Sequence, residues 1–273
     1  MMKTLYISDL DGTLLQSDQR ISRTSCEIIN SLIRDGMCFS YATARSLNTA
    51  RTVTAGLDAK FPVILHNGTF IIDGSTSKRL ISNSFTDDEA LEIYTSLISG
   101  GVFPLVYALR NDAEKFSYDS RSVGRGIGGF LLTRATDPRR NPLKTDNGIL
   151  DGEKYYFTCI DDRDKLQPLY DLLKDRFNCL FQKDIYSGEY WLEILPHHAT
   201  KANAALQLKA LLGCDRIVSF GDSLNDLPLA EISDEFYAVA NAHPQVKATA
   251  TSTINTNNQN SVALTLKKLY RQK

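Results

Sequence analysis

Residues 8–13 read Ser8-Asp9-Leu10-Asp11-Gly12-Thr13, directly after the apolar run Leu5-Tyr6-Ile7. Side chains alternate along a strand, so two aspartates two apart at a strand end point to one side. Gly12 permits a sharp turn immediately after them. Two carboxylates held together repel, and the pair needs a metal ion, a shared proton or a nearby cation. A second acidic cluster, Gly221-Asp222-Ser223-Leu224-Asn225-Asp226, follows another apolar run, Ile217-Val218-Ser219-Phe220. Two such clusters at two strand ends predict one hard-cation site assembled across a parallel sheet.

The strand and helix signals around these clusters define the architecture. Thr4–Ser8 reads as a strand, Ser22–Arg34 as a helix with Ile28, Ile29, Leu32 and Ile33 on one face and Gly36 as its stop, and Met37–Ala42 as a second strand. Leu47–Ala55 reads as a helix and Pro62–Leu65 as a third strand. This alternation predicts right-handed crossovers and a parallel sheet with helices on both faces. Near residue 84 the rhythm changes. Thr86 and Glu89 form a capping box ahead of Leu91, Ile93, Tyr94, Leu97 and Ile98. A Gly- and Arg-rich stretch follows, then a strand at Tyr155–Ile160, a helix at Lys165–Phe177 and a strand at Tyr190–Leu195, a mixture that fits an α+β unit. After Pro196 the first rhythm returns, with a helix at Ala202–Leu212, strands at Ile217–Phe220 and Phe236–Ala240, and a last helix near Val262–Tyr270. The tract Thr249–Asn260 reads as a loop around a short strand. The expected organisation is an α/β, Rossmann-like core in two segments, 1–83 and 196–273, with an α+β domain, 84–195, inserted between them.

Composition bounds the function. The 273 residues suit two domains, and a hydrophobic share of 42% supports an ordinary core. A net charge of −1 points to neither nucleic acid nor an acidic membrane surface. No apolar stretch approaches the ~18 residues of a membrane span. Asp9 and Asp11 stand where the apolar region of a signal peptide would lie, so a cytoplasmic location is expected. The five cysteines are scattered without zinc or disulfide spacing and read as free, packed thiols.

On four segments the chain resembles the haloacid dehalogenase-like (HAD) superfamily, specifically Cof-type phosphatases with a class IIB cap. They are Asp9-Leu10-Asp11-Gly12-Thr13, Tyr41-Ala42-Thr43-Ala44-Arg45, Pro196 with Lys201 at a helix start, and Gly221-Asp222-Ser223-Leu224-Asn225-Asp226. Fainter echoes are His66-Asn67-Gly68 and Ala240-Asn241-Ala242-His243-Pro244. Ala44 and Ser261 depart from the glycine common in relatives. The resemblance implies an Mg²⁺-dependent phosphomonoesterase acting on a small phosphorylated metabolite such as a sugar phosphate. Asp9 would be the nucleophile that forms an aspartyl-phosphate, and Asp11 the acid and base. Metal contacts would come from Asp9, the main-chain carbonyl of Asp11, and Asp222, with Asp226 ligating or supporting. Thr43, Ala44 and Lys201 would receive the phosphoryl group, Asn225 would hold phosphate or orient Lys201, and Arg45 would contact substrate or pair with a core carboxylate. The inserted cap would close over the leaving group. The alternatives are a phosphohexomutase-type phosphotransferase and a non-catalytic phosphometabolite-binding regulator. Oligomeric state is not legible.

Other signals point elsewhere. Gly124-Arg125-Gly126-Ile127-Gly128-Gly129 fits Gly-x-Gly-x-x-Gly, yet it neither follows a strand signal nor opens a helix signal, and it reads as a turning loop. His197-His198 lacks the spacing of a paired-histidine metal site. Arg121, Arg125, Arg134, Arg139, Arg140 and Lys144 stand against the single acid Asp137 and read as a basic face, solvated or anion-attracting. Trp191 is expected to pack within the inserted domain.

Overall fold

The computed structural model describes residues 2–58, 60–184 and 188–271. The chain divides into two units, one of residues 1–82 with 199–273, the other of residues 83–198.

The first unit begins with β1 (Thr4–Asp9), α1 (Arg23–Arg34), β2 (Cys38–Ala42), α2 (Leu47–Val53), β3 (Val63–Leu65), β4 (Phe70–Ile72) and β5 (Arg79–Ser82). The second unit holds α3 (Asp87–Ser99), β6 (Leu105–Arg110), β7 (Ala113–Asp119), α4 (Arg125–Leu132), β8 (Arg140–Leu143), β9 (Glu153–Asp161), α5 (Arg163–Leu173), β10 (Asn178–Lys183) and β11 (Tyr190–Leu195). The chain then returns to the first unit with α6 (Lys201–Leu211), β12 (Arg216–Gly221), α7 (Leu227–Ile232), β13 (Glu235–Val239), α8 (Pro244–Thr249), β14 (Ser252–Ile254) and α9 (Ser261–Arg271).

The core sheet runs β14-β13-β12-β1-β2-β3-β4-β5. It is parallel from β14 to β3, whereas β3, β4 and β5 pair antiparallel. The parallel sheet expected from the sequence is present, and the antiparallel strands β4 and β5 extend it at one edge. β4 and β5 are only three and four residues long and carried no clear alternation. β1 is buried throughout, because parallel strands inside a sheet are covered on both faces. On one face Leu5, Ile7, Ala42, Ile64 and Ile217 pack with Ala204, Ala205 and Leu208 of α6. α1 carries an N-cap at Ser22, whose side chain accepts from the Ser25 amide. Its buried stripe is Cys26, Ile29, Leu32 and Ile33, while Ile28, expected on that face, is half-buried.

In the second unit the sheet order is β10-β11-β9-β6-β7-β8. Val106, Phe157, Cys159, Leu192 and Ile194 from one of its faces pack with Ala90, Ile93 and Leu97 of α3 and Leu166, Leu169 and Leu173 of α5. Thr86 and Glu89 cap α3 reciprocally. Leu91, assigned to the apolar stripe from spacing, is exposed, and Ala90 takes the inward position. The Gly-rich stretch is a further correction. Gly124 is the N-cap of α4, so these residues do open a helix, five residues after β7. The reason is packing: a Cβ on Gly126 would lie 2.5 Å from Ile160 Cγ2 and 2.6 Å from the Ile160 carbonyl, so glycine lets α4 approach β9. Among the basic residues nearby, Arg121 pairs with Asp119, Arg139 with Asp137 and Glu114, and Arg134 stacks 3.8 Å over the Phe130 ring. His197 and His198 are exposed, their rings edge to face.

Candidate active site

β1 pairs in parallel with both β12 and β2, with Ser8 opposite Phe220 and Asp9 opposite Ala42. The C-terminal ends of the three strands therefore coincide. That register brings Asp9, Thr43 and the Gly221–Asp226 turn to one edge of the sheet, the usual ligand position in open α/β folds. Carboxylate oxygens of Asp9, Asp222 and Asp226 all lie within 4.8 Å of one another. Lys201, the first residue of α6, reaches into this cluster. Its Nζ donates to Asp9 Oδ1 at 2.6 Å and to Asp226 Oδ1 at 2.7 Å, and all three side chains are buried.

Three carboxylates against one ammonium leave an excess of negative charge. Burial pushes the Asp9 carboxyl well above its usual range; Lys201 opposes this, while the charges of Asp226 and Asp222 add to it. Asp222 is likewise raised, chiefly by burial. Burial works against the Lys201 ammonium, but Asp226 and Asp9 outweigh it and hold its pKa above that of an ordinary lysine. The all-oxygen donor set and the uncompensated charge fit a hard divalent cation.

The surrounding residues fix each carboxylate. Thr13 Oγ1 donates to Asp222 Oδ1 at 2.8 Å and Ser223 Oγ to Oδ2 at 3.1 Å. Asp226 Oδ2 accepts from the amides of Asp222 and Ser223, at 3.0 and 3.1 Å, while Oδ1 takes Lys201. Both Asp226 oxygens are thus engaged by protein donors. Gly12, at φ +74°, turns the chain beneath Asp222; a Cβ there would stand 2.4 Å from Asp222 Oδ2. Asn241 Nδ2 donates to the Gly12 carbonyl at 2.8 Å and steadies that turn.

The remaining residues singled out from sequence fall as follows. Asp11 lies outside the carboxylate cluster: Arg45 grips it through Nε to Oδ2 at 2.8 Å and Nη2 to Oδ1 at 2.6 Å. The carboxylate pairing considered for Arg45 is thus met by Asp11. Thr43 is fully buried, its Oγ1 accepts from the Arg45 amide at 3.1 Å, and its own hydroxyl proton stays free to donate elsewhere. It does not cap α2, whose N-cap is Ser46. Ala44 lies between them and is exposed. Asn225 Nδ2 reaches Asn67 Oδ1 at 3.3 Å, and Asn225 Oδ1 is buried without a hydrogen-bond partner. Thr13, Ser223, Asn67 and Asn241 received no role from the sequence. Each stood inside or beside a quoted motif, but only the folded register shows which carboxylate or carbonyl it meets.

A largely parallel sheet that gathers these carboxylates and a lysine at its strand ends, with an α+β unit inserted between its segments, defines a class of α/β hydrolytic enzymes. The chain belongs to the haloacid dehalogenase-like hydrolases, whose family model matches residues 6–266. It is 28% identical over 286 residues to 5-amino-6-(5-phospho-D-ribitylamino)uracil phosphatase YwtE of Bacillus subtilis, covering 96% of each chain. Among solved structures it resembles a haloacid dehalogenase-like hydrolase from Bacteroides thetaiotaomicron, at TM-score 0.76 and 19% identity over 98% of this chain and 100% of the other. The HAD subclass IIB sugar phosphatase BT4131 matches at TM-score 0.71 and 16% identity, over 98% of each chain. The protein is accordingly a hydrolase of the phosphatase kind, with a HAD core and an inserted cap. No helix among the described residues is long and apolar enough to cross a membrane.

Proposed function

We propose that the chain is an Mg²⁺-dependent phosphomonoesterase that works through a phosphorylated Asp9 and acts on a small phosphorylated metabolite, a sugar or polyol phosphate foremost. The observation that carries this reading is the Asp9–Lys201–Asp226 bridge with Asp222 beside it. The ion would rest on Asp9, Asp222 and the Asp11 main-chain carbonyl, where it would neutralise charge on the phosphoryl oxygens. Asp226, with both oxygens occupied, would orient Lys201 and the Asp222 turn instead of ligating.

In the forward step an Asp9 oxygen attacks phosphorus, and the bond from phosphorus to the leaving oxygen breaks. Asp11 supplies the proton that the leaving oxygen takes up. To reach it, Asp11 must let go of Arg45. In the second step Asp11 removes a proton from water, whose oxygen attacks phosphorus; inorganic phosphate departs and the Asp9 carboxylate returns. The Thr43 hydroxyl, the Ala44 amide and Lys201 would hold the phosphoryl oxygens through both steps. The preference for a sugar or polyol phosphate is supported by the name of the YwtE relative, a phosphatase of a phosphoribityl compound.

The test is phosphate release from a panel of sugar phosphates, polyol phosphates, nucleotides and an aryl phosphate, with Mg²⁺ and with excess chelator. Release that needs Mg²⁺ and favours sugar or polyol phosphates is expected. Equal release in chelator would remove the metal from the account.

A further inference from the structure

The turn His66-Asn67-Gly68, which follows β3, takes no part in the chemistry assigned above, yet its backbone is held in an unfavourable form. Three successive residues have positive φ: +48° at His66, +54° at Asn67 and +106° at Gly68. Histidine and asparagine tolerate this region better than most side chains, but neither prefers it. Such strain persists only where the surrounding structure fixes it. Here the fixing contacts lead to three separate pieces of the strand-end site.

The first piece is the loop after β2. The Asn67 amide donates to the Thr43 carbonyl at 2.9 Å, and the His66 amide to the Arg45 carbonyl at 3.2 Å. These bonds hold the residue whose hydroxyl proton stays free for a ligand. The second piece is the start of α6. A Cβ on Gly68 would stand 2.1 Å from the Thr200 carbonyl oxygen and 2.4 Å from its carbon, so glycine lets the turn press against the N-cap of α6. The next residue is Lys201, which bridges Asp9 and Asp226. The third piece is Asn225. Its Nδ2 donates to Asn67 Oδ1 at 3.3 Å, while its Oδ1 is buried without a partner. Among the described residues, Asn67 is therefore what fixes the rotation of the Asn225 amide.

We propose that Asn67 is a positioning residue for phosphoryl transfer. Its side chain sets the Asn225 amide, and its main chain sets the Thr43 loop, in one frame with Lys201. The proposal rests on the phosphatase reading, which assigns the phosphoryl oxygens to Thr43 and Lys201.

Asn67→Gly removes the side chain but keeps a residue that adopts this φ freely, so the turn and its two main-chain bonds remain. With an aryl phosphate, kcat/KM should fall about tenfold, on the order expected for a group displaced by under ~1 Å. Asn225→Ala should lower it at least as far. The double variant should lie within about twofold of Asn225→Ala, because Asn67 then has no side chain to position. A binding measurement separates positioning from a merely structural role. The midpoint for inorganic phosphate, read from the melting shift in Mg²⁺, should rise about fivefold in Asn67→Gly, the loss of one hydrogen bond. The shift caused by Mg²⁺ alone should match wild type.

Wild-type kinetics and phosphate binding in Asn67→Gly would overturn the assignment. So would losses that multiply in the double variant, or an Mg²⁺ shift that falls along with phosphate binding. If Asn67→Gly does not fold, hydrogen exchange in the wild type decides. Mg²⁺ with phosphate should slow exchange in peptides covering 63–70 together with 40–46, and an unchanged 63–70 peptide would overturn the role. A wild type that binds phosphate but turns over no substrate refutes the phosphatase reading, while the phosphate midpoint of Asn67→Gly still judges this one.

Discussion

Replacing Lys201 with methionine tests whether the buried lysine holds the site together. Nζ lies 2.6 Å from Asp9 and 2.7 Å from Asp226, and the side-chain exposures are 2%, 7% and 0% for the lysine and the two aspartates. Methionine keeps much of the side-chain volume and removes the charge. What remains is a set of three carboxylates within 4.8 Å with no cation among them. Removing one partner of a buried ion pair costs about 3–5 kcal/mol, because the other is left uncompensated. At roughly 2–4 °C per kcal/mol for a domain of this size, the melting temperature should fall by roughly 6–20 °C at neutral pH. The pH dependence follows in sign. Asp9 and Asp222 already have raised pKa values in the folded protein, and without Lys201 the cluster binds protons more readily still. A carboxyl whose folded pKa is raised favours folding when protonated, so the deficit should shrink as pH falls toward the carboxylate range near ~4. Differential scanning calorimetry of both proteins across pH, in chelator, measures this. A Lys201→Met protein that melts with wild type at neutral pH would refute the assignment of Lys201 as the internal counter-charge.

Two further outcomes follow from the same geometry. Added Mg²⁺ should raise the wild-type melting temperature more at about pH 7.5 than at about pH 5, because the ion competes with protons for Asp9 and Asp222; a shift that is equal or larger at the acid pH, followed by dye-based melting, would count against the cluster as the binding site. Gly12→Ala places a methyl carbon 2.4 Å from Asp222 Oδ2 at a positive φ, so it should weaken the Mg²⁺-induced melting shift and lower turnover by tenfold or more, on the order of a catalytic group displaced by ~1 Å; wild-type turnover would show that the turn beneath Asp222 tolerates a side chain.

Elements and motif edges were legible where one physical signal dominated, whereas β6, β7 and β10, six, seven and six residues long, were not read as strands. β1 is an apolar run stopped by Asp9 and a glycine turn, and α3 is announced by the Thr86–Glu89 capping box. β11 runs Tyr190–Leu195, the span the sequence suggested. The short strands β4, β5 and β8 escaped, being three or four residues without the combination of an all-apolar run and a flanking proline that marked β3, and β8 contains Pro142. The α4 segment was obscured by its glycines, which weaken helix propensity; their reason, the approach of Gly126 to Ile160, is a tertiary contact. In the site, the acidic motifs were visible as sequence, whereas the partners were not. That Arg45 clamps Asp11 depends on the register of β1 against β2, and that Lys201 reaches Asp9 across 192 residues of chain depends on the return of α6 to the sheet, while Asp226 spends its other oxygen on two amides of its own turn.

In the proposed reaction Asp9 carries the phosphoryl group during turnover. Acid-quenching the enzyme with Mg²⁺ and a sugar phosphate, followed by peptide mass spectrometry, tests it directly. A phosphoryl mass increment is expected on the peptide containing Asp9, placed on that residue by fragmentation and absent from Asp9→Asn protein. Robust phosphate release with an unmodified Asp9 peptide, and undiminished turnover in Asp9→Asn, would contradict it.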